Sequence, residues 1–221
     1  MNDSGVPRPD TNDMVAVHQV FRSSLASAPA LVASARGDDV RRALIADYYA
    51  NILAFLEVHH EGEETLVFPL LMERAPQSRA LVTRMATQHT DVMEQLHETK
   101  DVLSTWSDRG DESGVDTAVA LAGLGDALAV HLDEEEAGIL PLAGEHLSLE
   151  EWGALPGHGM ANFAGDKVWL ILGLIRENFT PAQCDAMLEH MPPPARTMWE
   201  TMGESAFKTI ITEVRQSGKE R

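Results

Sequence analysis

The chain has 221 residues, 44% hydrophobic and 5% aromatic, with a formal charge of −18 and a single cysteine. This size and apolar share suit one domain, or one domain with an appendage. The acidity argues against binding nucleic acid or an anionic membrane, which need clustered Lys and Arg, and Cys184 alone excludes a disulfide framework or thiolate cluster.

No window alternates like a strand for long, and Ala, Leu, Glu, Met and Val dominate, so the predicted class is all-α. Residues 1–12 read as a disordered tail, polar, with Pro7 and Pro9 and no basic region leading into an apolar run. No stretch reaches the roughly 20 uninterrupted apolar residues of a membrane span. The expectation is a cytoplasmic protein with no membrane and no nucleic-acid partner, as a monomer or homodimer.

Thr11, Asn12 and Asp13 offer N-caps for a first helix with Met14, His18, Phe21 and Leu25 on one stripe, running to about Arg36 with a kink at Pro29. Gly37-Asp38-Asp39 separates it from a second helix that passes through His59 and Glu63 to about Arg74, its last turns bent by Pro69. After the turn Pro76-Gln77-Ser78, a third helix directs Leu81, Val82, Met85, His89, Val92, Met93, Leu96 and Leu103 inward and ends near Trp106. A loop over 107–114 leads to a fourth helix, from Val115 through His131 and Glu135 to just beyond Pro141. The spacing predicts an up-down-up-down four-helix bundle over 13–147. Residues 148–221 form a helical extension packed on the bundle. Ser148–Glu151 and Thr180–Gln183 are capping boxes, Gly157-His158-Gly159 is a break, and Pro192-Pro193-Pro194 divides the last two helices.

One motif occurs twice. His59-His60-Glu61-Gly62-Glu63 runs into Phe68-Pro69-Leu70, and His131-Leu132-Asp133-Glu134-Glu135 runs into Leu140-Pro141-Leu142. In both, a His precedes a Glu by four residues, so each copy aims an imidazole and a carboxylate in one direction within an apolar stripe. Residues equally far from a turn in an antiparallel helix pair share one height. Glu63 and His89 are each 13 residues from Pro76, and His89 and His131 are each 21 from Gly110. His18 and His59 fall at similar distances on either side of Gly37.

A single inward His is more often a hydrogen-bonded core residue than a ligand. Six groups at one height, His18, His59, Glu63, His89, His131 and Glu135, point instead to a nitrogen and oxygen metal site suited to iron, manganese or zinc. Two carboxylates in that layer could bridge two metals. His60, Glu61 and Glu64 read as outer groups or surface, Glu134 and Glu136 as solvated, and His97 as peripheral. His146, His158 and His190 fall outside the layer. Glycine-rich phosphate loops and a Ser-His-Asp order are absent from the sequence.

These motifs, with His18-Gln19-Val20-Phe21-Arg22 and the lone His89, resemble the hemerythrin-like proteins with the HHE cation-binding domain, of the bacterial, actinobacterial type with a C-terminal helical extension. The resemblance covers about residues 13–147. It implies two iron ions per chain, bridged by Glu63, Glu135 and a solvent-derived oxygen (oxo or hydroxo), with His18, His59, His89 and His131 as terminal ligands. The small-molecule partners it implies are dioxygen, hydrogen peroxide and nitric oxide. A sensor without turnover, or iron and nitric-oxide stress repair, are the alternatives.

There is one clear departure: oxygen-carrying members have a His four residues after the third-helix His, where this chain has Met93. They also place a carboxylate five, not four, residues after the last His; here Glu136 is at five and Glu135 at four. A fifth imidazole is then missing unless His60 or His97 substitutes. The expectation is a more open site that reacts with small oxidants rather than storing dioxygen.

Overall fold

The computed structural model describes residues 7–110 and 113–216. Among them every regular element is helical. The expected tail at 1–6 lies outside the described residues. Pro9, within the same predicted tail, is instead buried, and its carbonyl lies near Gly144 of the fourth bundle helix.

The first bundle helix is broken as Pro29 predicts, into α1 (Asn12–Ala26) and α2 (Ala28–Ser34). Thr11 stands at the N-cap position but makes no cap bond; its hydroxyl donates to the Leu140 carbonyl (3.3 Å), while Asp10 accepts from the Asn12 amide (3.1 Å). Helix α3 (Asp39–Gly62) opens on Asp38, which accepts from the Arg41 amide. A π-helical turn over Glu63–Val67 then leads into α4 (Phe68–Arg74), and the Phe68 amide reaches back five residues to the Glu63 carbonyl. Pro69 lacks an amide proton and its ring crowds the carbonyl four residues earlier, so the ladder loosens at this point.

After the short turn Pro76–Ser78, α5 (Arg79–Arg109) and α6 (Gly114–His146) complete the bundle, and Pro141 lies inside α6 without breaking it. Helix α6 packs on α5, α1 and α2, and α3 packs on α5. This ring of neighbours is the up-down-up-down order. By length and composition alone α6 could cross a membrane. Here Leu121, Leu124, Leu128, Leu132, Ile139 and Leu140 are buried within the bundle, while Val115, Val119 and Val130 of the same helix are exposed.

Beyond the bundle, α7 (Leu149–Trp152) and α10 (Pro181–His190) both begin with the predicted capping boxes. The predicted break at Gly157-His158-Gly159 does not occur. Helix α8 (Ala154–Asn162) runs through both glycines, and the chain breaks instead between Phe163 and Lys167. Two interior glycines weaken a helix by about 1 kcal/mol each, but α8 lies against α3, where Gly62 lets the His158 ring approach. Packing overrides propensity there. Helices α9 (Val168–Asn178), α11 (Pro193–Met198) and α12 (Glu204–Arg215) follow, with a π-helical turn at Trp199–Gly203.

The extension shares the core rather than resting on it. Leu170, Ile171, Leu174, Trp199, Phe207 and Ile211 join one apolar cluster with Phe21, Leu25, Tyr49 and Leu56 of the bundle. Arg41 donates to the carbonyls of Glu213 and Val214 and so holds the end of α12 against the start of α3. Trp152 Nε1 donates to the Asp13 carboxylate (3.1 Å), which ties α7 to α1. A Cβ at Gly173 would fall 2.1 Å from the Phe207 ring, so α9 and α12 approach closely only because residue 173 has no side chain. Gly173→Ala should lower stability by about 1–3 kcal/mol through forced separation of these helices, read as a lower midpoint in denaturant. An unchanged midpoint would mean that the α9–α12 contact is not tight.

Candidate metal centre

The bundle core is divided in two. One apolar cluster includes Phe21, Ile52, Leu56, Val92 and Leu128; another includes Met14, Val67, Phe68, Met85 and Ile139. Between them lies a polar layer in which His18, His59, Glu63, His89, His131 and Glu135 are all buried. The six residues expected from helix spacing are therefore brought together, from α1, α3, the turn after α3, α5 and α6.

A seventh group joins them. His60 is buried, 2% exposed, and its ring stacks on His89 with centroids 4.1 Å apart and meets His131 edge-on at 5.2 Å. This corrects its reading as an outer or surface group. His59 and Glu63 are four apart, but His60 and Glu63 are three apart, and both spacings share a helix face. Glu63 therefore serves two neighbouring imidazoles. Glu61 is exposed, and His97, 63% exposed at its side chain, faces Glu57 outside the layer.

Donor atoms fall into two groups, each mutually within 4.8 Å: His60, Glu63, His89 and His131, and His18, His59, Glu63 and Glu135. Glu63 belongs to both. Its Oε1 lies 3.4 Å from His59 Nε2 and its Oε2 lies 3.4 Å from His89 Nε2. Glu135 Oε2 lies 3.4 Å from His18 Nε2 and 3.5 Å from His131 Nε2. These separations are long for hydrogen bonds, and they are what donors around a common ion would show. Among buried atoms without a hydrogen-bond partner are Nε2 of all five imidazoles, both oxygens of Glu63 and Oε2 of Glu135. Buried polar groups ordinarily find partners. So many orphans converging on one place fit a cation, and the all nitrogen and oxygen donor set suits iron, manganese or zinc.

The opposite ring nitrogens are held. Nδ1 of His18 donates to Glu136 (2.8 Å), Nδ1 of His89 to Glu64 (3.1 Å) and Nδ1 of His131 to Gln88 Oε1 (3.1 Å). Gln88 in turn donates to Glu134 (2.8 Å), which also pairs with Arg84, and Glu136 receives Arg22 (3.2 Å). With the proton on Nδ1, each Nε2 lone pair faces the layer, the arrangement that orients imidazole ligands. Glu134 and Glu136 are thus partly buried and bonded, a correction to their reading as solvated. Tyr48 and Tyr49 lie away from the layer, bonded to Ser24 and Ser27. Met93 packs against the apolar cluster.

Burial shapes the charges. It pushes Glu63 up to about 8, with the charge of Glu64 adding to the effect. Glu135 is raised well above the carboxylate range by burial and by Glu63 beside it. Burial holds His59 and His60 well below the usual imidazole value and His131 down to about 3, each helped by neighbouring imidazoles. In the layer, His59, His60, His89 and His131 are therefore held toward the neutral form, beside carboxyls that resist ionising until a cation arrives.

Four helices in a ring, with seven inward imidazoles and carboxyls at one height, define a helical-bundle cation-binding protein. The family model described as hemerythrin HHE cation-binding domain matches residues 10–143, and the chain belongs to that family. No curated protein and no solved structure matches it.

Two outcomes are expected. Glu63→Ala should strip metal from both halves of the layer and His60→Ala from one half, whereas Glu64→Ala should weaken uptake by about 10–100-fold through loss of ring orientation. Full metal content in His60→Ala would remove His60 from the set.

The second concerns pH. Glu63 and Glu135 must both release protons to accept cations, so affinity should rise at least about tenfold per pH unit from 6 toward 8, the share of Glu63 levelling off above its value of about 8. In the metal-free protein the sign reverses. The raised carboxyls of Glu63 and Glu135 lose stability as pH climbs above about 4.5, while the depressed imidazoles of His59, His60 and His131 gain it up to about 6.5, so the net fall is expected between about 6.5 and 8. Calorimetry in buffers of different ionisation enthalpy would show proton release on uptake; an affinity flat between pH 6 and 8 would contradict it.

Proposed function

We propose that the protein holds two metal ions per chain, iron when iron is available, and uses them to bind or react with small oxidants: dioxygen, hydrogen peroxide or nitric oxide. The observation that carries this reading is the shared position of Glu63, whose two oxygens face two separate sets of imidazoles. His60, His89 and His131 would hold one ion, His18 and His59 the other, and Glu63 and Glu135 would lie between them. Iron so held would supply Lewis-acid and redox chemistry toward small oxygen and nitrogen ligands.

The chain's own residues do the rest. Glu64, Gln88 and Glu136 fix three imidazoles in the tautomer that presents Nε2. Phe21, Met85 and Leu128, all buried, wall the layer against bulk water, and Phe21 lies 5.1 Å from the His59 ring. His60 supplies the imidazole that Met93 does not, so Met93 gives no ground for a more open site than five imidazoles allow. A cytoplasmic setting is part of the proposal, supported by the single cysteine and the acidic composition.

Elemental analysis of protein produced with iron should find two iron ions per chain; one tightly bound zinc, or none, would contradict the reading. Mixing the reduced, iron-loaded protein with dioxygen, peroxide and nitric oxide in a stopped-flow spectrometer should change its near-ultraviolet and visible bands. Consumption of many equivalents of peroxide would identify an enzyme, and a change that stops at one equivalent a binding or sensing module. Spectra unmoved by all three would overturn the choice of ligand.

A further inference from the structure

Outside the polar layer, a cavity of about 180 Å³ lies between the bundle and the extension. Helices α1 and α3 form one wall, with Val17, Phe55 and Val58; the extension forms the other, with Leu155, Phe163 and Ile171. The lining is apolar apart from two groups. Asp13 is already engaged by Trp152 Nε1 and by the Met14 amide (2.8 Å). The other is His59, which also belongs to the layer. Met160, 46% exposed, carries the lining outward to solvent.

Of the five imidazoles, His59 alone lines this cavity. His18, His89 and His131 each hold an acceptor on Nδ1. Among the described residues none is found at Nδ1 of His59, whose ring lines the cavity instead. The lining favours apolar guests, and an apolar cavity near 150 Å³ accommodates benzene. The space is large for a diatomic gas and matches a molecule of about ten non-hydrogen atoms. No Lys or Arg lines it, and the Asp13 carboxylate disfavours an anion.

We propose that this cavity is a binding site for a small, uncharged, largely apolar organic molecule with one polar acceptor atom, seated between bundle and extension with that atom at the His59 ring. The occupant would rest against the outer edge of an imidazole whose inner nitrogen faces the metal layer. Its bearing on the metals depends on the metal-centre reading; its binding does not. The extension acquires a role from this. It closes one side of a chamber that α1 and α3 leave open.

The test uses the full-length protein, metal-free and iron-loaded, with fluorobenzene, 4-fluorophenol and 4-fluorobenzoate followed by fluorine NMR. Fluorobenzene should bind saturably to both forms, 4-fluorophenol several-fold more tightly, and 4-fluorobenzoate at least tenfold more weakly than fluorobenzene. Val17→Phe and Leu155→Trp fill the cavity from opposite walls, and each should weaken fluorobenzene binding at least tenfold. Two variants guard against misfolding of one. The absence of saturable fluorobenzene binding to the unmodified protein, or undiminished binding in both folded variants, would overturn the proposal. Two iron ions without fluorobenzene binding would sink this inference alone, and fluorobenzene binding by a protein that takes up no iron under iron-replete production would sink only the metal-centre reading.

Discussion

Everything in this structure is arranged around the burial of two carboxyls and five imidazoles in the centre of an apolar bundle. An ionised carboxylate taken out of water without compensation costs several kcal/mol. Glu63 and Glu135 are each 1% exposed, and buried oxygens of both lack protein partners. The protein relieves part of that cost by raising both carboxyls toward their neutral form beside the depressed imidazoles of His59, His60, His89 and His131. The rest is left for a cation. A layer that is destabilising alone and satisfied by metal couples binding to stability.

The surroundings hold the layer in register. Each of four helices contributes at least one inward group, so no single helix can slide without moving a donor. Outside them, Glu136, Glu64 and Gln88 hold the distal ring nitrogens of three imidazoles, and Arg22 and Arg84 anchor Glu136 and Glu134. The extension adds apolar weight on the α1 and α3 side, through Trp152 at Asp13 and through α9 and α12 in the shared cluster. The proposed organic-ligand chamber lies at that junction, against His59, one of the two imidazoles that the outer hydrogen bonds leave free.

Much of this was legible in the sequence because helix geometry converts spacing into position. Equal distances from two turns, similar distances from a third and the repeated His–Glu spacing placed six residues at one height, and the structure brings the six together. Pro29 and Pro69 marked where the first two bundle helices bend, since proline removes an amide and crowds the preceding turn. His60 escaped because the repeated motif pairs a His with the Glu four residues on, which for Glu63 is His59, although His60, three residues before Glu63, is equally close to it. Glu136 was hidden for another reason: its partner His18 lies 118 residues away on another helix, and no local spacing announces it. The unbroken course of α8 through Gly157 and Gly159 is set by the surface of α3, which propensity does not see. The cavity beside His59 has no sequence signature, because its walls come from opposite ends of the chain.

The central claim is that one carboxylate, Glu63, organises two ions in two different imidazole environments. Anomalous X-ray diffraction from crystals of the iron-loaded protein, collected on either side of the iron edge, tests it most directly. The account predicts two anomalous peaks flanking Glu63, one among His60, His89 and His131 and the other beside His18 and His59. A single peak, or iron bound only to the acidic surface with the layer closed by hydrogen bonds, would contradict it.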